Sequence, residues 1–239
     1  MIGIVVVSHS PRLAEAALEL AREMVPGDAP HVALAAGTGD GLTGTDATRV
    51  AAAIADVASP DGVLVLMDLG SAVLSAELAL EFAGDVGGEV RLSSAPIVEG
   101  LLAAVVRASG GASLDEVDRE ARGALAAKES QLGAPGPSAP VVEPVETGPS
   151  RAIEERFVLV NPEGLHARPA SLIVAALGGL DARVTVRTGD KKPVDGRSPI
   201  GLMALGARQG DEIVVSATGD QADRAMAAIR ELAARSFGD

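Results

Sequence analysis

The 239-residue sequence contains no cysteine, no tryptophan and no tyrosine, and its three phenylalanines are its only aromatic side chains. Without cysteine there is no disulfide, no thiolate metal ligand and no cysteine nucleophile. The scarcity of aromatic rings argues against a surface on which nucleic-acid bases stack. Acidic residues outnumber basic ones by 33 to 20, and the net charge of −13 repels a phosphate backbone. We therefore expect no nucleic-acid partner.

Long hydrophobic runs are also missing. The apolar run near the N-terminus ends at Val7 and has no basic segment before it, unlike a signal peptide. No run approaches the ~18 residues of a membrane-spanning helix, so we expect a cytoplasmic protein without a membrane partner. The three histidines are dispersed without the spacing of metal ligands, so no metal site is expected either.

Composition divides the chain into three parts. Residues 131–155 contain five prolines and show neither helical nor strand periodicity, which predicts a flexible linker. The charge changes across this segment: residues 1–130 carry 8 basic and 19 acidic side chains, whereas residues 156–239 carry 11 and 10. We therefore predict one domain over residues 1–130 and a second over residues 156–239.

The N-terminal part alternates apolar strands with amphipathic helices. This order predicts an α/β domain with a doubly wound, mainly parallel sheet. Such sheets bind ligands at the carboxyl ends of their strands. The first helix is expected to bury one face, composed of Leu13, Ala17, Leu20 and Met24.

The C-terminal part follows a different pattern. Short strands separated by turns, with helices beginning near His166, Ser198 and Asp220, predict an α+β open-faced sandwich. Its sheet is expected to be mostly antiparallel, with the helices on one side. The last helix should bury Ala222, Met226, Ile229 and Ala233.

His9 directly follows the first predicted strand. Ser10 and Pro11 are typical of a helix start, with serine as N-cap and proline in the first turn. The imidazole is therefore expected to face this helix N-terminus, where free N–H groups and the helix dipole favour an anion. A neutral imidazole is a competent nucleophile towards phosphorus. These features predict that His9 carries a phosphoryl group, with Ser10 in support.

His166 repeats this arrangement in the second domain. It immediately precedes a predicted helix, and Arg168 follows two residues later. A guanidinium group at that place can hold phosphate oxygens. The pattern predicts a second phosphohistidine. His31, by contrast, begins a strand without polar neighbours and is expected to be structural.

The end of the third strand brings further polar residues to the edge where His9 lies. Asp68, Gly70 and Ser71 follow this strand, and we expect them to support the phosphate site. Asp68 has two interpretations that the sequence does not separate. It orients His9 by accepting a hydrogen bond, or it caps the helix that begins near Ser71.

A glycine-rich segment offers a competing function. Gly39, Gly41 and Gly44 match the spacing of a dinucleotide-binding loop, and Asp68 lies at the distance of its ribose-binding acid. The segment follows the second strand rather than the first, however, and its loop is long. The other interpretation is a glycine loop that borders the His9 site. A nucleotide-cofactor enzyme therefore stays an alternative hypothesis.

The stretches EGLHARPASLIV and RSPIGLMALGARQGDEIVVSATG, within residues 156–235, closely resemble HPr, the histidine phosphocarrier of the bacterial phosphotransferase system. The resemblance implies that His166 takes phosphate from phosphoenolpyruvate through enzyme I, and that Arg168 and the helix N-terminus steady the phosphate. Ser198 lines up with a serine that a regulatory kinase phosphorylates in some HPr proteins. A helix cap explains Ser198 equally well.

The stretches VVSHSPRLAEAALELAREM, GTDATRV, VLVLMDLGSAVLSAELALE and APIVEGLLAA resemble the mannose-type enzyme IIA family. More narrowly, they are similar to the phosphocarrier subunit of the dihydroxyacetone kinases that use phosphoenolpyruvate instead of ATP. The resemblance implies phosphorylation of His9 and a homodimer formed through this domain. It also implies transfer to ADP held in a partner kinase subunit, with no cofactor in this chain.

The two resemblances together imply a relay from enzyme I through His166 to His9 and on to the ADP-binding kinase subunit. Two alternatives share the same chemistry. One is a mannose-type IIA protein that donates phosphate to a sugar-permease IIB domain. The other is a regulatory protein whose phosphorylation state controls a transcription factor.

Overall fold

The computed structural model describes residues 1–25, 27–39, 42–84, 86–132 and 152–238. Contacts divide the chain into two compact units, Met1–Leu125 and Ala126–Asp239. Most of the predicted linker, residues 133–151, lies outside the described residues. The predicted domain boundaries therefore stay predictions.

The first unit is a parallel sheet with helices on both faces. Its strands are β1 (Gly3–Ser8), β2 (Val32–Ala36), β3 (Val63–Met67) and β4 (Val90–Ser93). Its helices are α1 (Pro11–Glu23), α2 (Ala47–Asp56), α3 (Gly70–Phe82), α4 (Ile97–Ser109) and α5 (Leu114–Arg122). The strand order is β2-β1-β3-β4, and all neighbouring strands are parallel. The predicted doubly wound α/β fold is confirmed.

Strand β1 explains why the sequence begins with an almost continuous apolar run. Ile4 and Val6 pack into the core that α1, α4 and α5 cover. Val5 and Val7 pack into the opposite core beneath α2 and α3. A central parallel strand is buried on both faces, so an alternating polar pattern would place charges in a core.

Helix α1 differs from the sequence prediction in the face that it buries. Leu13 and Leu20 were expected in the core, but they are 40% and 41% exposed. Ala17 is buried as predicted, and the buried face also contains Ala14, Leu18 and Ala21. This face is rotated by about one residue from the predicted one, and Met24 is only partly buried. The prediction gave the larger leucines too much weight.

The second unit pairs an antiparallel sheet with helices. Its strands are β5 (Ile153–Val158), β6 (Arg183–Thr188), β7 (Val194–Asp195) and β8 (Glu212–Thr218). Its helices are α6 (Ala126–Gln131), α7 (Ala167–Leu177), α8 (Pro199–Ala204) and α9 (Ala222–Ala234). The order β5-β8-β6-β7, with antiparallel neighbours, confirms the predicted α+β class. Helix α9 buries Ala222, Met226 and Ile229 as expected, whereas Ala233, also expected there, is only partly buried near the end of the helix.

Within these described ranges, no helix is long and apolar enough to span a membrane.

Candidate functional site

The first candidate site lies at the carboxyl ends of the neighbouring strands β1 and β3. Strand β1 is central, with β2 on one side and β3 on the other. Its pairing with β3 places Val7 opposite Met67, and the N–H of Asp68 donates to the carbonyl of Val7 at 3.2 Å. His9 and Asp68 therefore leave neighbouring strand ends together, at a topological switch point of the sheet.

The Asp68 carboxylate holds the His9 imidazole. Oδ1 of Asp68 lies 2.9 Å from Nδ1 of His9, and Oδ2 accepts the main-chain N–H of His9 at 2.8 Å. Oδ2 also accepts the Ser8 hydroxyl at 2.9 Å, and Oδ1 accepts the N–H of Leu69 at 2.8 Å. The carboxylate therefore fixes both the position and the rotation of the ring. Ser8 had not been predicted as a site residue, because it is simply the last residue of a buried strand.

Burial and hydrogen bonding act on Asp68 in opposite directions. Its side chain is only 7% exposed, and this burial raises the pKa of the carboxyl group. The hydrogen bonds from the main chain and ring of His9, from Ser8 and from Leu69 lower it, and together they hold the pKa of Asp68 below its ordinary value. Asp68 is accordingly an anion that only accepts hydrogen bonds.

This arrangement sets the chemistry of the ring. Because Asp68 is an acceptor, Nδ1 of His9 carries the proton, and Nε2 carries the lone pair. The Ser71 hydroxyl lies 2.7 Å from Nε2 and donates to it. Nε2 is therefore the ring nitrogen whose lone pair is available. His9 is partly exposed, whereas Gly70 and Ser71 are exposed.

The helix that meets the ring is not the one expected from the sequence. Helix α1 begins at Pro11, and its N-cap Ser10 accepts the N–H of Leu13 at 3.3 Å, as predicted. The nitrogens of the His9 ring, however, contact Asp68 and Ser71 at the start of α3. The N-cap of α3 is Leu69, which has no side-chain acceptor to offer. The first amides of α3 are thus left for an anion at Nε2.

The glycine loop after β2 borders this site. The N–H of Gly37 donates to the carbonyl of Ser8, and the N–H of Gly44 donates to that of His9, both at 3.0 Å. Asp40 and Gly41, inside the proposed dinucleotide pattern, lie outside the described residues. The contacts that are described hold the main chain on either side of the His9 ring.

The second candidate site surrounds His166 in the other unit. His166 is the N-cap of α7, and its carbonyl accepts the N–H of Ala170 at 3.0 Å. Its Nε2 lies 3.8 Å from Oε2 of Glu163, a side chain that is 76% exposed. Arg168 is exposed in the first turn of α7 and makes no hydrogen bond or ion pair within the described part of the chain. The first amides of α7 thus directly follow His166 along the chain, and the Arg168 guanidinium group has no partner among the described residues.

A tight turn positions His166. The amide of the Asn161 side chain donates to the carbonyl of Gly164 at 2.6 Å, and the N–H of His166 donates to the same carbonyl at 3.0 Å. Gly164 has a φ of +66° and leaves no room for a side chain, because a Cβ would lie 2.2 Å from the carbonyl oxygen of Ala207. Asn161 was not predicted as a site residue, since its contact is to the main chain of its own loop.

Two further polar residues considered in the sequence, Ser198 and His31, make contacts of their own. Ser198 is 6% exposed and caps α8, with its Oγ accepting the N–H of Gly201 at 2.8 Å. This contact favours the cap interpretation, and regulatory phosphorylation of Ser198 stays a prediction. His31 has a side chain that is 62% exposed, and its Nε2 lies 3.5 Å from Asp56.

Two protein-family descriptions match the two units. "PTS system fructose IIA component" matches residues 3–118, and "PTS HPr component phosphorylation site" matches residues 153–235. The fold and the two histidine sites thus define a fusion of two phosphotransferase-system components. The range matched by the second description includes His166, and the range matched by the first includes His9, Asp68 and Ser71.

Similar curated proteins narrow this class. The chain is 43% identical to a protein of Klebsiella michiganensis over 246 residues and 42% identical to one of Escherichia coli K12 over 242 residues. Both are named "PEP-dependent dihydroxyacetone kinase, phosphoryl donor subunit DhaM", and each match covers 100% of this chain and 51% of the relative. The chain therefore spans about half the length of these relatives.

A shorter relative is matched almost completely. It is a DhaM phosphoryl donor subunit of PEP-dependent dihydroxyacetone kinase 2 from Listeria innocua, 39% identical over 121 residues. The match covers 50% of this chain and 96% of the relative. The chain belongs to the DhaM family of phosphoryl donor subunits.

Proposed function

We propose that the chain relays phosphoryl groups through two histidines. His166 receives phosphate from enzyme I, which phosphoenolpyruvate has phosphorylated, and passes it to His9. His9 then donates to ADP that is bound in a subunit of a dihydroxyacetone kinase. The names of the relatives support this acceptor over a sugar-permease IIB domain. The observation that carries the proposal is the exposed nucleophilic Nε2 of His9, held by Asp68 beside the free start of α3.

The His9 site supports reversible phosphorylation at Nε2. When Nε2 forms a bond to phosphorus, the ring becomes cationic, and the Asp68 carboxylate at Nδ1 stabilises that charge. The phosphoryl oxygens then meet the Ser71 hydroxyl and the first amides of α3, whose partial positive charge favours an anion. No arginine is hydrogen-bonded into this site among the described residues, so phosphate is stabilised without being trapped.

At His166 the other ring nitrogen is the better phosphate carrier. Nε2 lies beside the Glu163 carboxylate, and a phosphoryl group on that nitrogen would meet a like charge. Nδ1 lies closer to the main chain of the N-cap residue itself. A phosphoryl group on Nδ1 can accept hydrogen bonds from the first turn of α7 and from Arg168.

Three further parts of the proposal concern the protein as a whole. We propose a cytoplasmic location, a homodimer formed through the first domain, and no cofactor bound by this chain. One face of α3 exposes Leu74, Leu78 and Phe82 beyond Ser71, at 68%, 45% and 60%. An apolar face beside the reactive nitrogen supports a contact with protein partners. Sedimentation of the purified chain tests the dimer directly.

The relay is tested with labelled phosphoenolpyruvate and purified enzyme I. In the His9→Ala variant, label should accumulate on His166. In the His166→Ala variant, neither histidine should be labelled when no free HPr is present. The His31→Ala variant is the matched control, because His31 precedes β2 at the edge of the sheet opposite to His9, and its ring contacts Asp56. Normal labelling of His166→Ala would contradict the proposed order of transfer.

The acceptor is tested in a second step. The phosphorylated chain is mixed with an ADP-loaded kinase subunit and dihydroxyacetone, and loss of label from His9 is followed. Rapid loss that requires the kinase subunit supports the proposal. If the loss of label required a sugar-permease IIB domain instead, the result would support the alternative function, a mannose-type IIA protein that donates phosphate to such a domain.

A further inference from the structure

The contacts around His9 form a chain of three groups whose order permits a second kind of chemistry. The Asp68 carboxylate accepts from Nδ1 of His9 at 2.9 Å, and Nε2 of the same ring accepts from the Ser71 hydroxyl at 2.7 Å. This order of acid, imidazole and hydroxyl is the arrangement that activates serine nucleophiles in hydrolases. Triads of this kind are recognised by geometry and roles, and they occur on unrelated folds.

The acid of this triad is held firmly. Asp68 is buried and accepts hydrogen bonds from four donors, of which two are main-chain N–H groups. It therefore keeps the His9 ring in the tautomer that carries a lone pair on Nε2. In that tautomer the ring is a general base directed at the Ser71 hydroxyl.

The serine is well placed to react. Ser71 is exposed and is the second residue of α3. Ala72 donates its N–H to the carbonyl of Leu69, whereas the amides of Gly70 and Ser71 lie in the first turn, where a helix supplies no acceptor. Such amides can stabilise an oxyanion that forms when the serine oxygen attacks a carbonyl carbon.

We infer that Asp68, His9 and Ser71 form a working catalytic triad, which gives the protein a second activity as a serine acyl-transferase or esterase on small, uncharged, activated esters. The Ser71 oxygen attacks the carbonyl carbon and releases its proton to Nε2. The ester C–O bond breaks, and the leaving alcohol takes that proton. Water then hydrolyses the acyl-serine. The net charge of the first domain disfavours anionic substrates.

This inference does not rest on the proposed relay, since it needs only the unphosphorylated protein. The two activities use the same nitrogen differently: the relay needs Nε2 as a nucleophile, and the esterase needs it as a base. A failed relay experiment would therefore leave the Ser71 result unchanged, and the converse also holds.

The first experiment labels the full chain with a fluorophosphonate and locates the adduct by peptide mass spectrometry. The Ser71 oxygen should form a bond to phosphorus as the phosphorus–fluorine bond breaks. The hydroxyl proton passes to Nε2, and fluoride is the leaving group that finally takes it. We expect labelling of Ser71 to fall about 10²–10⁴-fold in His9→Ala, the usual contribution of a general base. It should fall at least ~10-fold in Asp68→Asn.

The controls separate activation from mere exposure. Ser75 lies one turn further along α3, and its Oγ is hydrogen-bonded to the Thr45 hydroxyl at 2.7 Å. The Ser75→Ala variant should label like the wild type, and circular dichroism should confirm that all variants are folded. An adduct on His9, or labelling of Ser71 that is equally fast in His9→Ala, would overturn the inference.

A second experiment follows p-nitrophenyl acetate hydrolysis. The triad predicts a burst of one nitrophenolate per active site, with an acetyl group on Ser71. If His9 itself were the nucleophile, Ser71→Ala would keep the burst. Retention of the burst in Ser71→Ala therefore contradicts the inference, and its loss supports it.

Discussion

The two histidines of this chain occupy different kinds of site, although the proposed chemistry at both is the same. His9 is held at Nδ1 by a buried carboxylate and at Nε2 by a hydroxyl, with distances of 2.9 and 2.7 Å. Nε2 of His166, by contrast, lies 3.8 Å from the exposed carboxylate of Glu163. One ring is fixed by its side-chain partners, and the other by the backbone turn that carries it. The comparison shows that a histidine ring can be positioned either by side-chain contacts or by backbone geometry.

The largest expected effect comes from removing the carboxylate at His9. Asp68→Asn replaces an acceptor with a group that can donate to Nδ1, so the lone pair moves to the wrong nitrogen. Transfer from His166 to His9 should slow by about 10³-fold. This factor lies between the loss of activity caused by removing the hydrogen-bond partner of a metal-bound histidine and the loss caused by replacing the aspartate of a catalytic triad. Rapid-quench kinetics with labelled protein measure this rate.

The counterpart at the other site is Glu163→Gln. Because the Glu163 carboxylate is exposed and lies 3.8 Å from Nε2, beyond hydrogen-bonding distance, phosphorylation of His166 should stay within about twofold of the wild type. A large loss in this variant would show that a side chain also orients His166. The contrast between the two sites would then disappear.

A smaller effect is expected from a change in the backbone at His166. Gly164→Ala forces a side chain into a left-handed conformation and against the Ala207 carbonyl, so the second unit should lose about 3 kcal/mol of unfolding free energy. The matched control is Gly179→Ala, which has a φ of +69° but nothing within 4 Å of the new Cβ. That variant should lose only about 1 kcal/mol. Urea denaturation of both variants makes the comparison.

The smallest expected effect is on acid stability. The pKa of Asp68 is lowered in the folded protein, so its contribution to stability is present above the ordinary value of 3.8. That contribution is lost as the pH falls through 3.8 towards the lower folded value. The Asp68→Asn variant should therefore lose less stability between pH 5 and 3 than the wild type does. Equal pH profiles for the two proteins would mean that Asp68 is not held as an anion.

The sequence was informative where the chemistry is local. The position of His9 at a strand end, and of His166 before a helix, could be predicted because each depends on adjacent residues. The helix that meets the His9 ring could not be predicted, because α3 reaches it only through the pairing of β1 with β3. The buried face of α1 was misjudged for a related reason: alanine gives a weak hydrophobic signal, although it allows close packing.

The pairing of β1 with β3 has a consequence for how the protein matures. His9 and Asp68 are separated by 59 residues along the chain, and they meet only after a non-local contact has formed. Such contacts are costly in loop entropy and form slowly. A nascent or partly folded first unit therefore lacks the carboxylate that prepares its histidine. If His9 carries phosphate as proposed, its reactivity at Nε2 would therefore depend on a completed sheet, and only a folded chain would accept phosphate there.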